Sequence, residues 1–330
     1  MEKRHRILLI IALVLLPVLA YFHLTIGQIQ LSSADFYNAV FNYSDSETAQ
    51  LLVREFRLPR LIMAIVAGSS LAIAGMLMQT LFNNPLAGPY VLGINSGASL
   101  AVALGTLSGI SMFSSNIGLI GLALIGALVF GFIVLGFSLF VRNSLSLLLV
   151  GIMIGSFTSA ITSLLQTISS ADSLKVFTIW GMGSLQQVEL SQIGIITVFF
   201  ILGIFFSFFL IKPLNALVLG ENASLLLGVP VKNLRIIIIV ITALLAGLVT
   251  AFCGPIAFVG LAIPNLCKML FKTQQHLVLL LGNILLGALF LISCDILVQG
   301  LEPFILVPIN VITSIVGAPF VIFIILKRLA

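Results

Sequence analysis

Charge is what this sequence has least of. From Leu61 to Val141 it contains no Asp, Glu, Lys, Arg or His, and over all 330 residues only 8% are charged, against about a quarter in an average soluble domain. One helical crossing of a bilayer needs about 20 apolar residues, so the uncharged run is long enough for several. The short alternating segments of a membrane β-barrel are missing as well. These absences exclude a soluble fold and a barrel, and the expected class is an all-α polytopic membrane protein. The three cysteines, Cys253, Cys267 and Cys294, lie in apolar surroundings without Cys-x-x-Cys spacing, which makes them packing residues. His5, His23 and His276 stand far apart, and no His-Glu-x-x-His, Gly-x-Ser-x-Gly or Walker loop occurs. An intramembrane enzyme is therefore disfavoured, no cofactor or metal is expected, and ATP cannot be hydrolysed here through a Walker loop. The net charge of +5 is read as orientation, not nucleic-acid binding, because the cations border apolar spans.

What is present is a succession of apolar stretches broken by turn chemistry, such as "FNNPLAGP" at 82–89 and "LSGISMFSSN" at 107–116. They place ten spans near 7–26, 58–82, 90–107, 115–140, 145–168, 191–211, 236–253, 256–271, 277–298 and 306–327, all in one transmembrane domain covering 1–330. The basic, apolar N-terminus could be a cleaved signal, but no small-x-small site follows Tyr21, so it is read as the first span. With both termini in the cytoplasm, eleven of the fifteen Lys and Arg residues fall inside, as the positive-inside rule demands. The exceptions are Lys175 and a cluster, Arg54, Arg57 and Arg60, in "REFRLPRL" at 54–61. That cluster opens a helix, where the macrodipole disfavours cations.

Two connections are unusual. "KPLNALVLGENASLLLGVPVKNLR" at 212–235 reads as two short cytoplasmic helices with a turn near Gly220, and 169–190 reads as an external amphipathic helix with Trp180 at the bilayer interface. "AIAGMLMQTLFNNPLAGPYVLGI" at 72–94 echoes "LLAGLVTAFCGPIAFVGLAI" at 244–263, and the two run in opposite directions, as in an inverted repeat. Asp295 is the one candidate ionisable group within a span and is read as a carboxylate bonded near the outer interface. An ion-coupled secondary transporter built from inverted repeats is the alternative function, and Asp295 is its only support.

Four stretches carry a resemblance: "RLPRLIMAIVAGSSLAIAGMLMQTLFNNPLAGPYVLGINSGAS" (57–99), "LGENASLLLGV" (219–229), "GPIAFVGLAIPNLCKML" (254–270) and "EPFILVPINVITSIVGAPFVIFIILK" (302–327). In that order they resemble the FecCD family, the permease subunits of ATP-binding-cassette importers for iron-siderophores, haem and vitamin B12. Three departures stand out: Pro264, Asn265 and Lys268 where the family often has Pro-His-x-x-Arg, Gln299 where an arginine is common, and Cys294 before Asp295 in place of Ala.

The resemblance implies a homodimer in a bacterial cytoplasmic membrane, with the path between the two copies, two copies of an ATPase inside and a substrate-binding protein outside, free or lipid-anchored. It implies that Arg57 and Arg60 pair with carboxylates of the binding protein, an arrangement suited to Arg; contact with anionic lipid is the other reading, and Arg54 lies outside the motif. Gly220, Glu221 and Ala223 correspond to the turn that couples to the ATPase, though Glu221 is also a sound helix-start residue. Asn84 and Leu86 correspond to a cytoplasmic gate, with Asn143 and Ser144 as a second constriction. On the path it places Ser159, Thr162 and Gln166, with Ser156, Thr158 and Ser163 beside them, and then Asn310 and Thr313, with Ser314. Small polar residues of this kind also serve plain helix packing.

Overall fold

The computed structural model describes residues 2–27, 37–39, 48–108, 115–141 and 144–329. Among these, helices α1 (Lys3–Thr25), α2 (Leu58–Leu81), α3 (Ile94–Leu107), α4 (Asn116–Phe140) and α5 (Ser144–Ile168) form the first half. The short helix α6 (Ala171–Gly181) and the span α7 (Leu190–Phe209) follow, then two short helices, α8 (Ile211–Leu217) and α9 (Glu221–Leu226). The second half is α10 (Val231–Cys253), α11 (Val259–Phe271), α12 (His276–Leu301) and α13 (Ile309–Leu329). Seven helices are long and apolar enough to cross a membrane, and α3, α11 and the Ile309–Ile324 part of α13 are shorter apolar helices. The protein is a multi-pass membrane protein of about ten apolar helices, matching the spans read from hydropathy.

Helix α2 is the centre of the molecule, buried along almost its whole length. Small residues make that possible: a Cβ added at Gly68 would lie 2.1 Å from the Gly287 carbonyl oxygen of α12, and one at Gly75 would lie 1.7 Å from that of Gly260 in α11. Lipid tails are as apolar as leucine, so helices in a membrane associate through close backbone contact of this type.

The neighbour relations of α2–α5 recur in α10–α13. Helix α2 packs on α12 as α10 packs on α4; α3 lies on α4 and α5 as α11 lies on α12 and α13; α2 meets α11 as α10 meets α3. The echoed Ala-Gly pairs take part, since Gly75 meets the segment after the second break, and Gly247 faces Ile94 after the first. The pattern is that of two repeats about a pseudo-two-fold axis, with α2 and α10 in contact at the centre. As the second and seventh crossings, they run in opposite directions.

Each repeat contains a break between α-helices, at 82–93, where Pro89–Leu92 form a short 3-10 turn, and at 254–258. Backbone at membrane depth must find partners inside the protein, and here it does. The Tyr90 hydroxyl donates to the Ile256 carbonyl (2.9 Å) and accepts from the Ile256 amide (3.2 Å), bridging the two breaks. Asn310 donates to the Pro255 carbonyl (2.7 Å) and accepts from the Ala257 amide (2.7 Å). The connection between α6 and α7 closes the same break, with the Ser184 amide donating to the Cys253 carbonyl (2.8 Å). Trp180 therefore does not sit at the bilayer interface as expected: it is 3% exposed, and its carbonyl lies so near Gly254 that a Cβ there would come within 2.4 Å. The three cysteines are free and buried.

Candidate functional site

The arginines at the start of α2 meet carboxylates of their own chain. Arg60 donates Nε and Nη2 to the two oxygens of Asp295 (2.7 and 2.9 Å) and Nη1 to Glu302 (2.9 Å). Asp295, near the end of α12 and 1% exposed, also lies 2.7 Å from His23 Nε2 of α1. Glu302 accepts in addition from Gln186 Nε2 (2.5 Å). Arg57 donates Nη1 to the Leu24 carbonyl (2.6 Å). Each arginine is only 9% exposed, and every nitrogen of the Arg60 guanidinium is bonded within the chain. A cation persists at an unfavourable helix start because α12 brings a carboxylate to it. Gln299, one of the departures, donates to Asp295 at 3.3 Å, and its flipped amide would instead bond His23 and the Ile26 carbonyl. Only in the second orientation does it join α1 to the cluster.

The other departures tie α11 to the loop after α2 and to the end of α2. Asn265 of α11 donates to the Pro85 carbonyl (2.8 Å), and Lys268 donates to Gln79 Oε1 of α2 (3.1 Å). Within the loop, Asn84 accepts from the Leu86 amide (2.9 Å), a local turn that leaves the Leu86 side chain 46% exposed. Asn84, Pro85, Asn265 and Lys268 line a cavity of about 340 Å³ that also touches Val218. Of the residues expected at the constrictions, Asn84 and Leu86 are placed in this way, Ser144 instead bonds Glu221, and Asn143 lies outside the described residues.

The connection 212–235 forms the two short helices read from the sequence, joined at Gly220, whose φ of +100° is a conformation that favours glycine. Two side chains fasten it to the spans. Asn215 of α8 accepts from the backbone amide of His276 and lies 2.9 Å from its Nδ1, while His276 Nε2 meets the Thr80 hydroxyl at 2.9 Å. Glu221 accepts from Ser144 and from Arg235 Nη2 (3.1 Å). The connection also shows leucine to its surroundings, with Leu219 66%, Leu226 90% and Leu227 63% exposed.

The residues expected on the path divide. On α5, Ser156, Ser159 and Ser163 are exposed along one side, and Thr162 and Gln166 are half-buried; Thr158 is buried and donates to the carbonyls of Ile154 and Gly155. On α13 the two side chains are bonded within the chain. Thr313 is fully buried and donates to the Asn310 carbonyl (3.2 Å), while both polar atoms of Asn310 are bonded to the break at 254–258. Backbone groups of this chain thus hold both side chains. The exposed serines of α5 form a polar edge on a largely apolar helix, with the Ser156 hydroxyl bonded back to the Ile152 carbonyl (3.1 Å).

Comparison with known proteins agrees with this architecture. The model of the FecCD transport family matches residues 13–327. A hemin transport system permease protein, HmuU of Yersinia pestis, is 33% identical over 98% of this chain and 96% of its own. A protein of Helicobacter pylori strain 26695, named as a probable iron chelatin transport system permease, is 31% identical over 88% of this chain and 87% of its own. Among solved structures, the inward-facing conformation of an ABC transporter assigned to the metal-chelate type superposes with a TM-score of 0.86 at 30% identity, covering 97% of this chain and 99% of that one.

Proposed function

The chain belongs to the FecCD transport family, and from that premise we propose that it carries a ferric siderophore inward as the permease subunit of an ATP-binding-cassette importer. Relatives named for hemin and iron chelatin transport support a bulky iron chelate as cargo; haem and cobalamin are the competing cargoes. In this reading two copies form the path along the polar edge of α5, two ATPase subunits dock inside, and a substrate-binding protein delivers the chelate outside, in a bacterial inner membrane. The outer ends of α1, α2 and α12, with Arg57 and Arg60 among them, form the receiving face. Direct pairing of Arg60 with the binding protein there requires it to exchange Glu302 for a carboxylate of that protein.

The observation that carries the reading is the α8–α9 pair. Its exposed leucines surround a glycine turn on a connection too short to cross a membrane, and apolar surface of this kind marks a protein contact. A chain with no Walker loop must receive work through such a contact.

Reconstitution into vesicles with the ATPase and the binding protein should give uptake of a radio-iron siderophore that needs ATP. Haem and cobalamin should enter far more slowly. Uptake without ATP, driven by an ion gradient, would overturn the reading in favour of a secondary transporter. The orientation is tested separately. Cysteines at Lys212 and Lys272 should be shielded from an impermeant thiol reagent in intact cells, and one at Lys175 should react; labelling of Lys212 from outside would invert the topology.

A further inference from the structure

One arginine fastens the Gly220–Glu221 turn to the membrane helices. Arg235, in the second turn of α10, is 4% exposed. Its Nη2 donates to Glu221 Oε1 (3.1 Å) and its Nη1 to the Val141 carbonyl at the end of α4 (2.9 Å). Ser144, which opens α5, donates to the same Glu221 oxygen. A single guanidinium thus joins the turn, α10 and the α4–α5 junction. A buried charge is costly unless paired, and a cation near a helix start is disfavoured further, so the Glu221 carboxylate holds Arg235 where it is.

The arrangement has a counterpart at the other end of the molecule. Arg60 at the start of α2 grips the end of α12; Arg235 near the start of α10 grips the end of α4. The repeat exchanges α2 with α10 and α12 with α4, so the two arginines are related anchors. They differ in one respect: Asp295 belongs to a membrane helix, whereas Glu221 belongs to a six-residue helix outside the spans.

We propose that Arg235 is a positioning residue that turns displacement of the coupling segment into displacement of α5. The inference rests on the coupling role of 212–235 argued above. When the ATPase moves the turn, Ser144, Glu221 and Arg235 travel as one body, and the start of α5 is carried with them as in other rigid-body switches. Without the latch, α9 slides over the spans and the motion is lost.

The test uses the permease reconstituted with its ATPase and binding protein, and reads chelate transported per ATP hydrolysed. Arg235→Gln should lower that ratio about tenfold, the scale of one lost charge-assisted contact. Arg235→Lys should restore part of it, keeping the charge while losing the fork to Val141. The swap of Glu221→Arg with Arg235→Glu should recover more than either single change. A merely structural role predicts that transport and hydrolysis fall together, with an unchanged ratio, and that result overturns the proposal. Should Arg235→Gln fail to assemble, Ser144→Ala carries the test: it removes one hydroxyl, and an unchanged ratio there is equally fatal. If Glu221→Trp with Ala223→Trp uncouples transport while the Arg235 and Ser144 variants do not, the latch alone is wrong; if that pair also stays coupled, the coupling role itself has failed.

Discussion

Asp295→Ala should destabilise the folded permease by about 3–5 kcal/mol, the range for removing one partner from a buried ion pair. The carboxylate is 1% exposed and receives two bonds from Arg60 and one contact from His23. Its loss leaves the guanidinium with Glu302 as its only carboxylate in a largely buried site, and removes the contact of His23 in α1 with α12. Arg60→Ala should cost a similar amount. The double variant should cost less than the sum of the two, because each single change strands the other charge. Asp295→Asn keeps the shape and loses the charge, so it should fall between wild type and Asp295→Ala. The measurement is the thermal midpoint of the detergent-solubilised protein, read from the fraction that remains monodisperse after heating. A wild-type midpoint for Asp295→Ala would mean that the cluster is solvated and holds nothing together.

That cluster also shows where reading the sequence stops. Hydropathy and turn residues located ten spans, and Gly220 with its flanking charges located the helix pair at 212–235, because these signals are local. Arg60 and its partners are separated by 235 and 242 residues, and no local pattern joins them. A signal was nonetheless available: topology put the misplaced arginines and the single intramembrane carboxylate at the same end of the molecule, and charges in a membrane seek each other. Asn310 and Thr313 are ambiguous in the sequence for a related reason. A polar side chain at the start of a short helix can line a path or satisfy a neighbouring break, and only the position of 254–258 decides between them. Trp180 followed its usual interfacial preference in the reading, but the connection between α6 and α7 folds inward to cap that same break. The departures at Asn265 and Lys268 acquire a role only once α11 is seen to bond the loop at Pro85 and the end of α2 at Gln79.

Replacing Glu221 and Ala223 together with Trp should abolish uptake while the permease still inserts and still captures its loaded binding protein. The two residues open α9 beside the Gly220 turn, and the exposed Leu219 and Leu226 flank them. Two indoles there block entry of the turn into any cleft, and the change also withdraws the carboxylate that Ser144 and Arg235 share. Hydrolysis by the ATPase should then stop responding to the loaded binding protein, since stimulation has to pass through this contact. The measurement is ATP hydrolysis with and without loaded binding protein, beside chelate uptake in the same vesicles. Normal uptake with intact stimulation would make the segment an interfacial helix pair and sink the mechanism. Because Glu221 also favours the start of α9 through the helix dipole, Ala223→Trp alone is the companion variant. It leaves Glu221 and its bonds in place, so a loss of stimulation in that protein isolates the contact from the fold.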